Sequence, residues 1–180
     1  MALGATLYKA QLQIADLDRH YYADHPLTLA QHPSETPERL MVRLLAFALH
    51  ASPDLALCRG LSSQDEPALW QKDLTGAIEL WIEVGQPDER RLRSACHKAG
   101  QVFVYNYGGR GSRPWWLKLQ PVVAEFANLH VVHLPTSAIQ ALAALAQRQM
   151  QLQCTIQEGQ VWITDGKDTA QIDITLSEPE

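Results

Sequence analysis

The sequence predicts a single α+β domain: a central mixed β-sheet flanked by helices, with a long antiparallel extension. Three observations predict it. Residues 77–107 read strand, helix, strand. Residues 34–50 read as a capped helix. Residues 150–176 alternate as a meander punctuated by Glu158-Gly159 and Asp165-Gly166. A chain of 180 residues fits one domain, 1–180, on the usual ~100–200 residues per domain, and no stretch in its middle has the composition of a linker.

Taken in order, residues 5–16 alternate Leu7, Lys9, Gln11 and Gln13 against Tyr8, Ala10, Leu12 and Ile14, a first strand. Asp16-Leu-Asp-Arg turns it back. Residues 20–31 make the hairpin partner, with His25-Pro26 as a kink or bulge on an edge. Ser34-Glu-Thr-Pro-Glu-Arg starts a helix, Thr36 as N-cap and Pro37 in the first position, running to about His50. At 100° per residue its apolar side chains fill a wide arc that includes Glu38, while Arg39, Arg43 and His50 share another. A short strand is expected over Leu55–Leu61 and a brief helical piece over 64–71.

Residues 77–84 put Ile78, Leu80, Ile82 and Val84 on one face and Glu79, Trp81 and Glu83 on the other. After Pro87 the period changes to 3.6, with Leu92, Ala95, Cys96 and Ala99 as the apolar stripe and Asp88 and Glu89 against the helix dipole. Val102–Tyr107 is the next strand, parallel to the first. Gly108-Gly-Arg-Gly-Ser-Arg is a flexible basic loop. Residues 114–127 are helical, Leu129–Leu134 is a strand, and Ser137–Arg148 an Ala/Leu-rich helix capped by Thr136 or Ser137. The terminal meander is expected to pack against or extend the main sheet.

The longest apolar run is far short of the ~20 residues of a membrane helix, and the start of the chain has no signal-peptide core. Cys58, Cys96 and Cys154 stand far apart with no Cys-x-x-Cys, so neither a disulfide framework nor a zinc site is signalled. A soluble cytoplasmic protein is the expectation. The net charge of -5 argues against coating nucleic acid non-specifically, yet allows an acidic, metal-loaded centre with a basic rim.

Two long motifs carry a resemblance. Leu27-Thr-Leu-Ala-x-His-Pro-Ser-Glu-Thr-Pro-Glu-Arg39 and Asp73-Leu-x-Gly-x-Ile-Glu-Leu-Trp-Ile-Glu-Val-Gly-Gln-Pro-Asp-Glu-Arg-Arg-Leu92 closely resemble the YaeQ family of bacterial proteins. The resemblance covers nearly the whole chain. It implies a divergent restriction-endonuclease-like fold, the PD-(D/E)xK nuclease type, and assigns no substrate.

That superfamily holds Mg²⁺ with an acid at one strand end, an acid-x-Lys on the next strand and often a helix glutamate. Hard oxygen ligands and a nearby cation are what metal-dependent phosphodiester hydrolysis needs. Carried over, Glu38 matches the helix glutamate and Glu83 the acid of acid-x-Lys, whose third position is Gly85. The missing cation is then sought on the following helix, at Lys98 or Arg91. Glu79, in Gly-x-x-Glu, resembles the first acid, with Asp73 competing. On a regular strand Glu79 and Glu83 lie roughly 13 Å apart, too far to share a metal unless a bulge intervenes.

The resulting set is Glu38, Glu79 and Glu83 as metal ligands, Lys98 as the catalytic cation, and Arg91, Arg110 and Arg113 on the substrate. The plainer account has the three acids in ion pairs with Lys98, Arg91 or Arg39, and Lys98 and Arg91 covering apolar surface with their stems. Trp115 and Trp116, with Arg110, Arg113 and Lys118, read either as a stacking clamp for nucleic acid or as core and rim at a helix start. Two functions follow: a metal-dependent nuclease or nuclease relative, or a non-catalytic binding or regulatory protein that keeps the fold.

Overall fold

Side-chain alternation makes the strands, and the computed structural model, which describes residues 4–59 and 65–180, shows how they pair. There are two five-stranded sheets where the sequence predicts one central sheet. The first joins the opening hairpin to the terminal meander, and the second holds the five strands between them in sequence.

β1 (Thr6–Asp16) and β2 (Tyr21–Gln31) form the expected hairpin. Its register runs unbroken past Pro26, so no bulge forms there. β2 is an edge strand, where proline is tolerated. The meander β8 (Gln149–Gln157), β9 (Gln160–Thr164) and β10 (Thr169–Asp173) neither extends nor merely covers the other sheet. β8 pairs in parallel with β1, Leu12 beside Leu152 and Ile14 beside Cys154.

The second sheet begins with β3 (Leu55–Leu57), shorter than the expected strand, whose last residues lie outside those described. β4 (Leu69–Lys72) stands where the sequence suggested a helical piece; residue 64 of that piece is likewise outside the described residues. Pairing decides the matter, because Trp70 lies opposite Trp81 with the rings edge-on at 6.2 Å. β5 (Ile78–Val84), β6 (Ala99–Asn106) and β7 (Leu129–His133) are all parallel. A β-bulge between Gln71 and Lys72 shifts the β4–β5 register next to Glu79.

α1 (Pro37–His50) has the predicted cap, the Arg39 N–H donating to Thr36 Oγ1 at 3.2 Å. It is buried from Leu40 to Leu49 on every side, Arg43 included. The reason is its place in a stack of four layers. One core joins the inner face of the first sheet (Leu12, Leu29, Leu152), α1, α4 (Thr136–Ala144) and one face of the second sheet (Leu69, Ile82, Tyr105). A second core joins the opposite face (Trp81, Val102, Val104) to α2 (Glu89–Lys98) and α3 (Ser112–Glu125) through Leu92, Leu119 and Val122. Among the described residues no helix is long and apolar enough to cross a membrane.

Candidate functional site

β5, β6 and β7 end side by side, and α2 and α3 start just beyond them, the place where open parallel sheets bind ligands. The last side chains on the α2–α3 face are Glu83, Asn106 and His133, all buried. Gly85 and Gly108 turn the chain at φ 101° and 108°, a region favouring glycine. Gly85 at the motif's third position thus serves the backbone.

Glu83 is the predicted acid the structure brings to a partner. Its Oε1 accepts from Trp81 Nε1 at 2.9 Å and from Arg91 Nε at 2.5 Å. The Arg91 Nη2 also donates to the Glu66 carbonyl at 2.7 Å. Arg91 reaches Glu83 because Asp88 caps α2, accepting the Arg91 N–H at 2.8 Å, and so fixes that face of the first turn. Lys98, at the far end of α2, is exposed, its ammonium 6.0 Å from the Trp81 ring centroid. The cation beside Glu83 is therefore Arg91.

The other two acids stand apart. Glu79 is exposed at the bulge, and its Oε2 accepts from Gln71 Nε2 at 2.9 Å. Asp73 sits in the β4–β5 turn, its Oδ1 accepting from the N–H groups of Thr75 and Ala77 at 2.8 and 3.0 Å, and these local bonds hold its carboxyl below the usual range. Glu38 is half-buried on α1, across the sheet from Glu83, where its charge acts on the Tyr107 hydroxyl. Among the described residues no three His, Cys, Asp or Glu side chains come together as a metal-holding group.

Sequence reasoning missed two clusters. Glu35, buried, takes Arg43 Nη2 on one oxygen at 2.6 Å and Arg39 on the other. Desolvation lowers the Arg43 pKa, and Glu35 opposes that shift. The signal was available in the spacing, Glu35 lying just ahead of the Thr36 cap and one helical face from Arg39 and Arg43. The second cluster is polar and uncharged: Gln86 Nε2 donates to Asn106 Oδ1 at 3.1 Å, and Asn106 Nδ2 donates to Ser112 Oγ at 2.7 Å and to His133 Nδ1 at 2.9 Å. The β6–β7 register joins Asn106 to His133, and the loop after β5 and the start of α3 bring Gln86 and Ser112 to them, so no motif announces the cluster.

Arg110 and Arg113 are exposed on the loop and first turn leading into α3, with Lys118 exposed further along. The tryptophans are turned inward. Trp115 Nε1 donates to the Pro87 carbonyl at 2.7 Å, and Trp116 packs edge-on against His133. Cys58 lies within the field of Glu66 and Glu83, and burial first, then Glu66, pushes its thiol up to about 12. Grooves of about 350 and 390 Å³ run over the outer face of the first sheet among Gln11, Gln151 and their neighbours. They contain no convergent titratable set, so the strand ends are the better candidate.

The family model described as YaeQ protein matches residues 1–174. A Salmonella typhi protein named "Uncharacterized protein YaeQ" is 46% identical over 175 residues, covering 97% of each chain. The Escherichia coli K12 protein of the same name is 45% identical over the same span. The crystal structure of the YaeQ protein from Xanthomonas axonopodis pv. citri superimposes with a TM-score of 0.93 at 48% identity, covering 98% of this chain and 99% of that one. The Pseudomonas syringae YaeQ crystal structure gives 0.89 at 38% identity, with 94% and 93% covered.

Proposed function

The chain belongs to the YaeQ family, and we propose that it is a non-hydrolytic binding protein keeping a nuclease-like core. Its ligand is nucleic acid, held at the basic rim of Arg110, Arg113 and Lys118. One observation carries this reading: the Glu83 carboxylate is already neutralised by Arg91 and tied to Trp81. A carboxylate so used has little affinity left for Mg²⁺, which needs several hard oxygens at ~2.1 Å. The dispersed positions of Glu38 and Glu79 support the same conclusion.

The competing reading, Mg²⁺-dependent phosphodiester hydrolysis on Glu38, Glu79 and Glu83, has one observation in its favour. An acid and a cation do meet at the end of β5, with the cation supplied by α2. Calorimetric titration of Mn²⁺ and Mg²⁺ into the protein and its Glu83→Ala variant, with cleavage assays on DNA and RNA, separates the two. We expect no metal heat that depends on Glu83 and no cleavage. We also expect a labelled single-stranded oligonucleotide to bind, and about tenfold weaker in Arg110→Ala/Arg113→Ala, as two lost phosphate contacts imply. Metal binding that vanishes in Glu83→Ala, accompanied by cleavage, would establish the nuclease instead.

A further inference from the structure

The carboxyl ends of β6 and β7 gather hydrogen-bond donors that lack acceptors. His133 is 1% exposed. Its Nδ1 accepts from Asn106 at 2.9 Å, which places the proton of the neutral ring on Nε2. Burial lowers the His133 pKa against the opposing charge of Glu178, so the ring stays neutral. That Nε2–H is buried and, among the described residues, unpartnered. The same holds for the Trp116 Nε1–H, whose ring stands edge-on to His133 at 4.5 Å between centroids.

Two helices begin at this spot. α3 has 14 residues and starts at Ser112, one amide from His133 through Asn106; its N-cap Gly111 offers no side-chain acceptor. α4 has 9 residues, and its N-cap Pro135 offers none either. The first N–H at each end is already engaged, Ser112 with the Gly109 carbonyl and Thr136 with Glu180, so what both ends contribute is the positive end of a dipole. Arg113 and Arg110 add two exposed cations.

The acceptors that reach this donor field come from the chain's own acidic segment. Leu176 bridges to His133, and Pro179 is buried. Glu180 Oε2 accepts the first N–H of α4, from Thr136, at 3.1 Å, while Glu178 Oε2 lies 3.9 Å from Arg113 Nη1. One carboxylate thus stands near Arg113 and another on the start of α4, the places an oxyanion would take.

We propose that His133, Trp116, Arg113 and the starts of α3 and α4 form a site for a phosphate group, whose mouth Glu178 and Glu180 occupy as an intramolecular competitor. A phosphate suits it because its ionised oxygens accept, and the buried His133 and Trp116 N–H groups and the Arg113 guanidinium donate. The inference deepens the binding role proposed above and rests on it, by naming the group that is bound and the segment that guards it.

Inorganic phosphate titrated into the full chain tests this, followed by calorimetry and by the indole ¹H–¹⁵N signal of Trp116. We expect saturable binding that moves that signal, about tenfold tighter in Glu178→Gln/Glu180→Gln and about tenfold weaker in Arg113→Gln. Arg113 and both glutamates are exposed, so these variants keep the fold. Trp116→Phe removes one donor and should weaken binding similarly. Phosphate binding indifferent to all three variants, or no saturable shift in any protein, overturns the site. An oligonucleotide measured in the same buffer separates this failure from that of the parent reading. If it binds while phosphate neither binds nor competes, the binding role survives and the site does not; if neither binds, both fall. A 5′-phosphorylated strand that outbinds its 5′-hydroxyl counterpart assigns the group to a strand end. Equal binding of the two strands, with saturable inorganic phosphate, assigns it to free phosphate.

Discussion

His50 closes α1 with Nε2 2.5 Å from the Tyr105 hydroxyl and its ring edge-on to Phe103 and Tyr105. Burial, with Arg19 adding to it, brings its pKa from 6.5 down to about 4. The unfolded chain therefore binds this proton at a higher pH than the folded one. Neutral His50 contributes its full stability above pH 6.5 and loses it as the pH falls toward 4, by on the order of 3 kcal/mol. Urea unfolding at several pH values should show that slope, and His50→Gln should flatten it; an unchanged slope would mean another group titrates. At the same scale, Glu83 was legible as an acid out of place on a covered strand. Arg91 was legible as a flank cation, but sequence could not rank it above Lys98, because only the Asp88 cap decides which turn of α2 faces the strand end. His133 and Asn106 were illegible as a pair, since each only closes its own strand and their neighbourhood comes from the β6–β7 register.

α1 is the element on which both sheets rest, and its one buried charge cluster ties it to β2. Glu35 holds Arg39 and Arg43, and Arg43 also donates to the Ala30 carbonyl at 2.9 Å. Removing one partner of such a group leaves an uncompensated charge, whereas removing both costs less. Glu35→Ala should therefore lose about 3–5 kcal/mol, and Glu35→Ala/Arg43→Leu should recover a measurable part in urea denaturation. A double variant no more stable than the single would place the cost elsewhere. The helix was read correctly from Thr36-Pro37 and its apolar arc, yet as a helix with a polar side. It has none to spare, because the layer beyond Arg43 is β2 and not water. β4 shows the opposite error: Ala68-Leu-Trp-Gln-Lys72 favours a helix locally, and the Trp70–Trp81 pairing overrides it.

The whole molecule alternates sheet, helices, sheet, helices, and its two sheets differ in how they are wired. In the second, neighbours in space are neighbours in sequence, β3 through β7. The first is closed by β1 against β8, segments from opposite ends of the described chain. Period-2 alternation named every strand of the first sheet but says nothing of partners, which is why the meander was expected on the central sheet. Contacts distant in sequence form late. With ¹⁹F-labelled tryptophan and tyrosine, the Trp81 signal in the second sheet should reach its native position before that of Tyr8 in β1, whose ring centroid lies 6.0 Å from the Arg148 guanidinium just ahead of β8. Simultaneous recovery would show the stack folding as one unit.

The same wiring has a meaning for the protein while it is being made. β1 and β2 leave the ribosome early and their partner strand late, a wait on the order of ten seconds at bacterial elongation rates. Throughout that interval α1 can already cover the inner face of the hairpin, but the edge of β1 that β8 later fills stands open. An unpaired edge is a template for another chain, and co-expression with a holding chaperone is expected to raise the yield of folded protein.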